Sequence, residues 1–524
     1  MGLRWPRKAL ALVPALLLLA ACGNAALPAA RRPSVSPFAL RGVVEGFYGP
    51  AWSDRATRGA LAFLGAHGMN TFVYAPKFDP YQRARWQSPY PPARLAQLRS
   101  LVRAATAAGV DFVYSLSPGL SITYSSPADR RALLAKLQQL RGIGVHAFML
   151  SFDDIGAGKL DAADARAYPG GLAQAQVSLT NAVFAAERAA DPALTLMFTP
   201  TQYWGMRSDA YTRELAHLDP GIQVVWTGPG VVSPEVTTAQ ARAFGAIVGR
   251  KPLLWYNYPV NDWTVPQAEF STPAAMQPRD LFLGPVRGLA PDLASAVTGV
   301  LSNPMLQAHA SQIPLASLAA YLNHPQAGAG GGSASPAVPS GVPSVPAPVQ
   351  AAWAAQVAAA GGPARQALQA FCQAEEPYPT VSASGRYGWS STDPTADGLE
   401  RQLLAAYAHN PAAAMGGSAA ATLVRTFTTW MLGPVQLAPS RLADPALGRE
   451  IAPWVAWMPR DGEAGLDAIH LLTAQARGET PIRNLVLAAV LQDERTLASQ
   501  PVEFGGNLAA FLRGAVAAVG GPGA

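Results

Sequence analysis

Between residues 41 and 304 the chain alternates short apolar runs with longer stretches rich in Ala and Leu, and no other feature constrains the fold as much. The runs occupy 42–48, 70–76, 111–117, 146–153, 194–199, 222–227, 252–257 and 280–286. Runs of this length with Phe, Val and Leu read as buried strands. Helix-length segments such as 54–67, 92–108, 127–142 and 171–190 separate most of them, whereas the stretch between 257 and 280 reads as a long loop. Strand alternating with helix implies parallel pairing, because a parallel return needs a long crossover. Eight such units in roughly 260 residues match a (β/α)8 barrel, whose usual size is about 250 residues. The expected fold class is α/β, a TIM barrel over 39–325.

The flanks read differently. Arg4, Arg7 and Lys8 precede an apolar segment at 9–19, which closes with Leu19-Ala20-Ala21-Cys22. A basic start followed by a short apolar run is an export signal rather than a structural helix. The ending resembles a bacterial lipoprotein signal, which implies that residues 1–21 are removed and Cys22 is lipidated. Residues 22–38 then read as a flexible tether, and the protein as exported and lipid-anchored to the cell envelope on its extracytoplasmic side. Cys22 and Cys372 are the only cysteines, so lipidation of the first leaves no disulfide within the chain. With no Cys/His cluster at metal-ligand spacing, no metal or cofactor is expected. Of 39 Lys and Arg, the three in the signal leave 36 against 33 Asp and Glu, a net charge of +3. That excess is too small and too evenly spread to point to nucleic acid as a partner.

Residues 326–349, rich in Gly, Ala, Ser and Pro and free of charge, read as a linker. From 350 to 524 Leu and Val recur at helical spacing, for example over 352–360, 364–374, 398–408 and 419–432. This predicts a helical domain, with 378–395 irregular and with Pro363 and Pro411 at helix starts. No further apolar span long enough for a membrane follows the signal.

In a (β/α)8 barrel the active site forms at the C-terminal ends of the strands. The expected ends are Glu45-Gly46-Phe47-Tyr48-Gly49, Tyr74-Ala75-Pro76-Lys77 with Asp79, Ser117-Pro118-Gly119, Asp153-Asp154, Thr199-Pro200-Thr201-Gln202-Tyr203-Trp204, Trp226-Thr227-Gly228-Pro229, Trp255-Tyr256-Asn257 with Asn261-Asp262, and Gly284-Pro285. Polar and aromatic groups thus gather at one end of the barrel. Trp and Tyr offer flat apolar faces to a sugar ring, Asn, Asp and Lys bond its hydroxyls, and a carboxylic acid can protonate a glycosidic oxygen. There is no Gly-rich phosphate loop and no serine nucleophile elbow. The pair Asp153-Asp154 closes an apolar run. Neighbours in a strand point to opposite faces, so both acids serve one pocket only if the strand ends there and the pleat breaks.

These strand-end pieces, in order and together with Phe152-Asp153-Asp154-Ile155, Leu283-Gly284-Pro285 and Ser302-Asn303-Pro304, resemble the catalytic barrel of glycoside hydrolase family 84, over about half of the chain. The resemblance implies a retaining β-N-acetylglucosaminidase of the O-GlcNAcase or hyaluronidase-like kind, acting on N-acetylglucosamine-containing glycans or glycoproteins. It implies substrate assistance, in which the 2-acetamido oxygen attacks the anomeric carbon and gives an oxazoline. Asp153 would then polarise the acetamido N–H, and Asp154 would serve as general acid and then base. Tyr203 would bond the acetamido oxygen, and Asn257 would lie near it. Asp262 would bind the 4- and 6-hydroxyls, Gly46 (through its backbone), Lys77 and Asn303 the others, and Trp255 would form a wall. Glu45 reads as structural, beneath the site. Gln202 and Tyr256 depart from the family pattern, which often has Glu and Asp there, and this puts the charge around the acids in question. Two other readings remain open from the residues alone. One is an ordinary glycosidase with Asp154 as acid and Glu45 or Asp262 as its partner. The other is a non-catalytic sugar-binding lipoprotein that keeps the pocket. A chitinase-like barrel is disfavoured, since its fourth strand ends in spaced acids closing on Glu.

Overall fold

A computed structural model describes residues 36–520, apart from 157–159, 271–275, 326–341, 383, 391–393 and 507. The expected signal, Cys22, all but the last residues of the tether and most of the linker therefore lie outside the described residues. Eight parallel strands close into a barrel in sequence order: β1 (Leu40–Glu45), β2 (Thr71–Tyr74), β3 (Asp111–Leu116), β4 (Ala147–Ser151), β5 (Thr195–Thr199), β6 (Ile222–Trp226), β7 (Leu253–Tyr256) and β8 (Gly299–Ser302). Registers such as Val43 on Phe72 and Gly42 on Leu301 join the first strand to both neighbours. The helices start where the residues dictate. Ser53 caps the helix Asp54–Ala66, Ser126 caps Pro127–Arg141 with Pro at its first position, and Thr237 with Gln240 forms a capping box for Thr238–Val248.

Inside the barrel, Val44, Val73, Val113, Met149, Met197, Val225, Leu253, Trp255 and Leu301 form one buried cluster to which every strand contributes. The outer faces of the strands pack on the helices in a second, larger cluster. Both faces of each strand are thus apolar, which explains why the strands read as near-continuous hydrophobic runs.

Two expectations need correction. The eighth strand is not 280–286 but Gly299–Ser302, which pairs with β7 and β1. Leu281, Phe282 and Leu283 are fully buried, yet they pair with no strand. Their cover comes from the C-terminal region: Leu283 N donates to Glu375 O at 2.9 Å and Trp353 Nε1 donates to Leu283 O at 2.6 Å. A short apolar run signals burial, and burial alone does not choose between a ladder and a packed loop. The segment 378–395 is not irregular throughout. It holds an antiparallel hairpin, β9 (Tyr378–Val381) and β10 (Tyr387–Ser390), whose Trp389 lies 4.8 Å from the ring of Tyr258.

The rest of the C-terminal region is helical, with long helices at Pro394–His409, Ser418–Met431, Met458–Ala476 and Thr480–Ala498. Its first helix, Ala347–Gly361, begins inside the span read as linker and packs on the last barrel helix, Ala308–Asn323. That barrel helix is buried on nearly all sides, which suits its lack of Asp, Glu, Lys and Arg. Trp454 Nε1 and Glu503 N both donate to Arg279 O, so the helical region grips the long β7–β8 connection.

Candidate active site

Period-two alternation carries the inner cluster upward into polar residues. On every strand except β3, a step of two residues leads from Val44 to Gly46, from Ala75 to Lys77, from Ser151 to Asp153, from Met197 to Thr199, from Val225 to Thr227, from Trp255 to Asn257 and from Leu301 to Asn303. All of these line one cavity of about 300 Å3 at the C-terminal end of the barrel, with Tyr48, Asp154, Tyr203, Asp262, Trp263 and Phe270 from the loops. Trp255 belongs both to the inner cluster and to the cavity, so its indole is the floor. Gly46 is required there. A Cβ at this position would lie 2.3 Å from Cζ2 of Trp255.

The two adjacent acids have opposite surroundings. Asp153 is 5% exposed and forms an ion pair through Oδ2 with the Lys77 ammonium. Lys77 itself sits 5.9 Å from the ring centres of both Tyr48 and Trp255. The other oxygen of Asp153, Oδ1, is buried and has no hydrogen-bond donor among the described residues. Asp154 instead takes a left-handed backbone conformation, φ 53°, which breaks the pleat and brings it to the same cavity. Tyr48 Oη donates to its Oδ2 at 3.0 Å and Tyr203 Oη to its Oδ1 at 2.9 Å. Burial raises the pKa of both phenols, and the Asp154 charge raises it further, so they stay protonated as donors. Arg83 closes the corner. Its Nη2 donates to the Asp154 carbonyl at 2.9 Å and its Nη1 to Tyr48 Oη at 3.2 Å.

The opposite wall is a chain of amides. Gly46 N donates to Asn303 Oδ1 at 3.2 Å, Asn303 Nδ2 to Asn257 Oδ1 at 3.0 Å, and Asn257 Nδ2 to Val231 O at 2.7 Å. Trp255 Nε1 also donates to Asn257 Oδ1, at 2.8 Å, so the floor and this wall hold each other. Asp262 accepts from Tyr48 N at 2.7 Å, and burial pushes its carboxyl up to about 6. Below the site Glu45 is fully buried, accepts from Trp52 N at 2.8 Å and is pushed up to about 8 by burial.

Residues 41–338 match the family model described as β-N-acetylglucosaminidase. The chain belongs to that family, glycoside hydrolase family 84. Among curated proteins it is similar to the Protein O-GlcNAcase of Rattus norvegicus, 35% identical over 309 residues that make up 58% of this chain and 31% of the relative. The mouse (Mus musculus) Protein O-GlcNAcase is 35% identical over 289 residues, 54% of this chain and 30% of the relative. The chain therefore matches about a third of the length of these curated relatives. Among solved structures it is similar to a mutant of the Thermobaculum terrenum O-GlcNAc hydrolase, with a TM-score of 0.75 at 25% identity over 92% of this chain and 95% of that one. CpGH84B shares the fold, with a TM-score of 0.71 at 24% identity over 92% of this chain and 77% of that one.

For this family 84 chain the structure gathers Asp153, Asp154, Gly46, Lys77, Tyr203, Trp255, Asn257, Asp262 and Asn303 around one cavity. Gln202 and Tyr256 do not line it. Tyr256 points outward, where its hydroxyl donates to Arg287 O at 3.1 Å, so the two departures lie off the cavity wall. Sequence reasoning passed over Tyr48 and Arg83. Tyr48 stood in a strand-end piece, which was signal enough. Arg83 lies in the loop after β2, outside any strand-end piece, and only its contacts mark it.

Proposed function

We propose that the chain is a retaining glycosidase that removes β-linked N-acetylglucosamine from glycans or glycoconjugates, with the substrate's own 2-acetamido oxygen as nucleophile. The observation that carries this reading is the contrast between the two acids. Asp153 faces an ammonium and keeps one buried oxygen without a donor, whereas Asp154 is held by two neutral phenols. A substrate N–H is the missing donor for Asp153 Oδ1. As the acetamido oxygen bonds to the anomeric carbon, positive charge grows on the amide, and the Asp153 carboxylate stabilises it. Asp154 gives its proton to the glycosidic oxygen as that bond breaks. It then takes a proton from the water that opens the oxazoline, which restores the acetamido group and retains the configuration. The Trp255 floor matches the apolar face of the sugar, and Asp262 accepts from its 4- and 6-hydroxyls. A cavity of about 300 Å3 closed by this floor suits one terminal sugar and exo cleavage.

The test is turnover of a fluorogenic β-N-acetylglucosaminide against the matching β-glucoside, with Asp154→Asn alongside. Activity on the N-acetyl substrate alone, competitive inhibition by a thiazoline mimic of the oxazoline, and a large loss in the variant are expected. Equal turnover of the glucoside refutes substrate assistance, since that sugar lacks the nucleophile. A folded wild type without turnover moves the chain to the sugar-binding alternative.

We also propose export and a lipid anchor at Cys22, on the strength of the basic start, the apolar 9–19 segment and Leu19-Ala20-Ala21-Cys22. Cys22→Ala should move the protein from the membrane fraction to the soluble one. An unchanged membrane fraction refutes the anchor.

A further inference from the structure

Arg83 is a buried cation, 7% exposed, that forms no ion pair among the described residues. A guanidinium taken out of water without a carboxylate is costly, so its contacts need a reason. Both of them lead to Asp154. One donor holds the main-chain carbonyl of Asp154, the only non-glycine residue with positive φ among the described residues. A left-handed conformation is unfavourable for residues other than glycine and persists where its surroundings hold it. The other donor reaches the Tyr48 hydroxyl.

That second contact sets a direction. A guanidinium only donates. The Tyr48 oxygen must therefore accept from Arg83, and its single proton points at Asp154 Oδ2. Oδ2 is held as an acceptor. Tyr203 differs, because Asp154 Oδ1 is its only hydroxyl partner among the described residues. Its hydroxyl is free to rotate, donating to Oδ1 when that oxygen is bare and accepting from it when it is protonated.

We propose that Arg83 is a positioning residue for the general acid: it holds the turn at Asp154 and, through Tyr48, leaves Oδ1 as the oxygen that delivers the proton. The inference rests on the glycosidase reading above. In the forward step the Oδ1–H proton goes to the glycosidic oxygen, which keeps the electron pair of the broken C–O bond. In the second step water returns a proton to Oδ1 as its oxygen bonds to the anomeric carbon, and the bond from that carbon to the acetamido oxygen breaks, with the acetamido oxygen keeping the electron pair. The groups that face Asp154 are Tyr48 from the loop after β1, Lys77 and Arg83 after β2, Asp153 beside it, Tyr203 after β5 and Asp262 after β7.

The experiment uses the full-length protein in detergent, with Arg83→Met, Arg83→Lys and Tyr48→Phe. Each is assayed on a β-N-acetylglucosaminide with a 4-nitrophenyl leaving group, which needs little protonation, and on one with an alkyl leaving group, which needs it fully. Arg83→Met should lose kcat at least about tenfold more on the alkyl glycoside than on the nitrophenyl one, with KM little changed. The alkaline limb of kcat/KM should move to higher pH, because a positive charge near the acid is gone. Arg83→Lys should restore the limb but not the leaving-group ratio, since one ammonium does not span both acceptors. In the Tyr48→Phe background the Arg83→Met change in ratio should shrink. Equal losses on the two substrates with an unmoved limb overturn the proposal and make Arg83 a packing residue. If Arg83→Met does not fold, Arg83→Lys and Tyr48→Phe decide by the same ratio. A wild type inactive on both substrates removes the glycosidase reading, and the Arg83 role with it, whereas an active wild type with an unmoved ratio sinks only the Arg83 role.

Discussion

Replacing Glu45 by Gln should change how stability depends on pH. Glu45 ends β1 beneath the cavity, with no exposed surface. One oxygen accepts from Trp52 N, and the other has no partner among the described residues. Burial pushes its carboxyl from the ordinary value of 4.5 up to about 8. Between these values the folded protein holds a proton that the unfolded chain releases. Stability then falls as pH rises, by about 1.4 kcal/mol per unit. The contribution is complete below the unfolded value and is lost as pH climbs through the folded one. Between pH 5 and 8 the loss comes to about 3–4 kcal/mol. Gln keeps the acceptor for Trp52 N but carries no proton to release. Its extra amide hydrogens face the partnerless side, a cost of about 1–3 kcal/mol that does not vary with pH. The other raised acids titrate equally in both proteins and cancel in the difference. Urea denaturation followed by tryptophan fluorescence at half-unit steps is the assay. The stability of Glu45→Gln relative to wild type should climb by about 3–4 kcal/mol from pH 5 to 8. Parallel curves over that range would show that Glu45 is ionised in the fold and that the burial argument is wrong.

Lys77→Met should be costly, by about 3–5 kcal/mol, because it leaves Asp153 buried without its ammonium; adding Asp153→Asn should recover most of the stability in the same urea assay while turnover stays lost. Gly46→Ala should drive a methyl into the Trp255 indole, costing about 1–3 kcal/mol and raising KM, as read from steady-state kinetics and thermal melts. Asp262 is pushed up to about 6 by burial, so it gains a proton and loses its capacity to accept two sugar hydroxyls as pH falls through that value. KM for N-acetylglucosaminides should therefore rise below about pH 6, and Asp262→Asn should carry a high KM that no longer varies over that limb; an unaltered KM from pH 5 to 7 in the wild type would contradict this.

Seven of the eight strands are legible because each is buried on both faces and bounded by turn residues, so hydrophobicity alone marks it. The eighth is not. The 280–286 run is longer and holds three consecutive large apolar residues, Leu281-Phe282-Leu283, against two in Gly299–Ser302; its neighbours are Trp353 and Glu375, some 70 to 90 positions away, which no local pattern reveals. The hairpin at Tyr378–Val381 and Tyr387–Ser390 was hidden for the same reason, since Trp389 finds Tyr258 in the barrel. Positions such as Lys77, Asp153, Asn257 and Asn303 follow from period two, which makes every second residue face the axis. By itself, then, the sequence determined the barrel, the end that carries the chemistry and most residue types in the cavity, because these depend on alternation and strand order. Only the tertiary structure decided which acid meets an ammonium and which meets two phenols, how the turn at Asp154 sets both at one cavity, and that Arg83 stands behind them. Those are contacts between loops of different strands. Their geometry is fixed by closure of the barrel, which brings the ends of β1, β2, β4 and β5 around one axis, and not by anything local to the residues themselves.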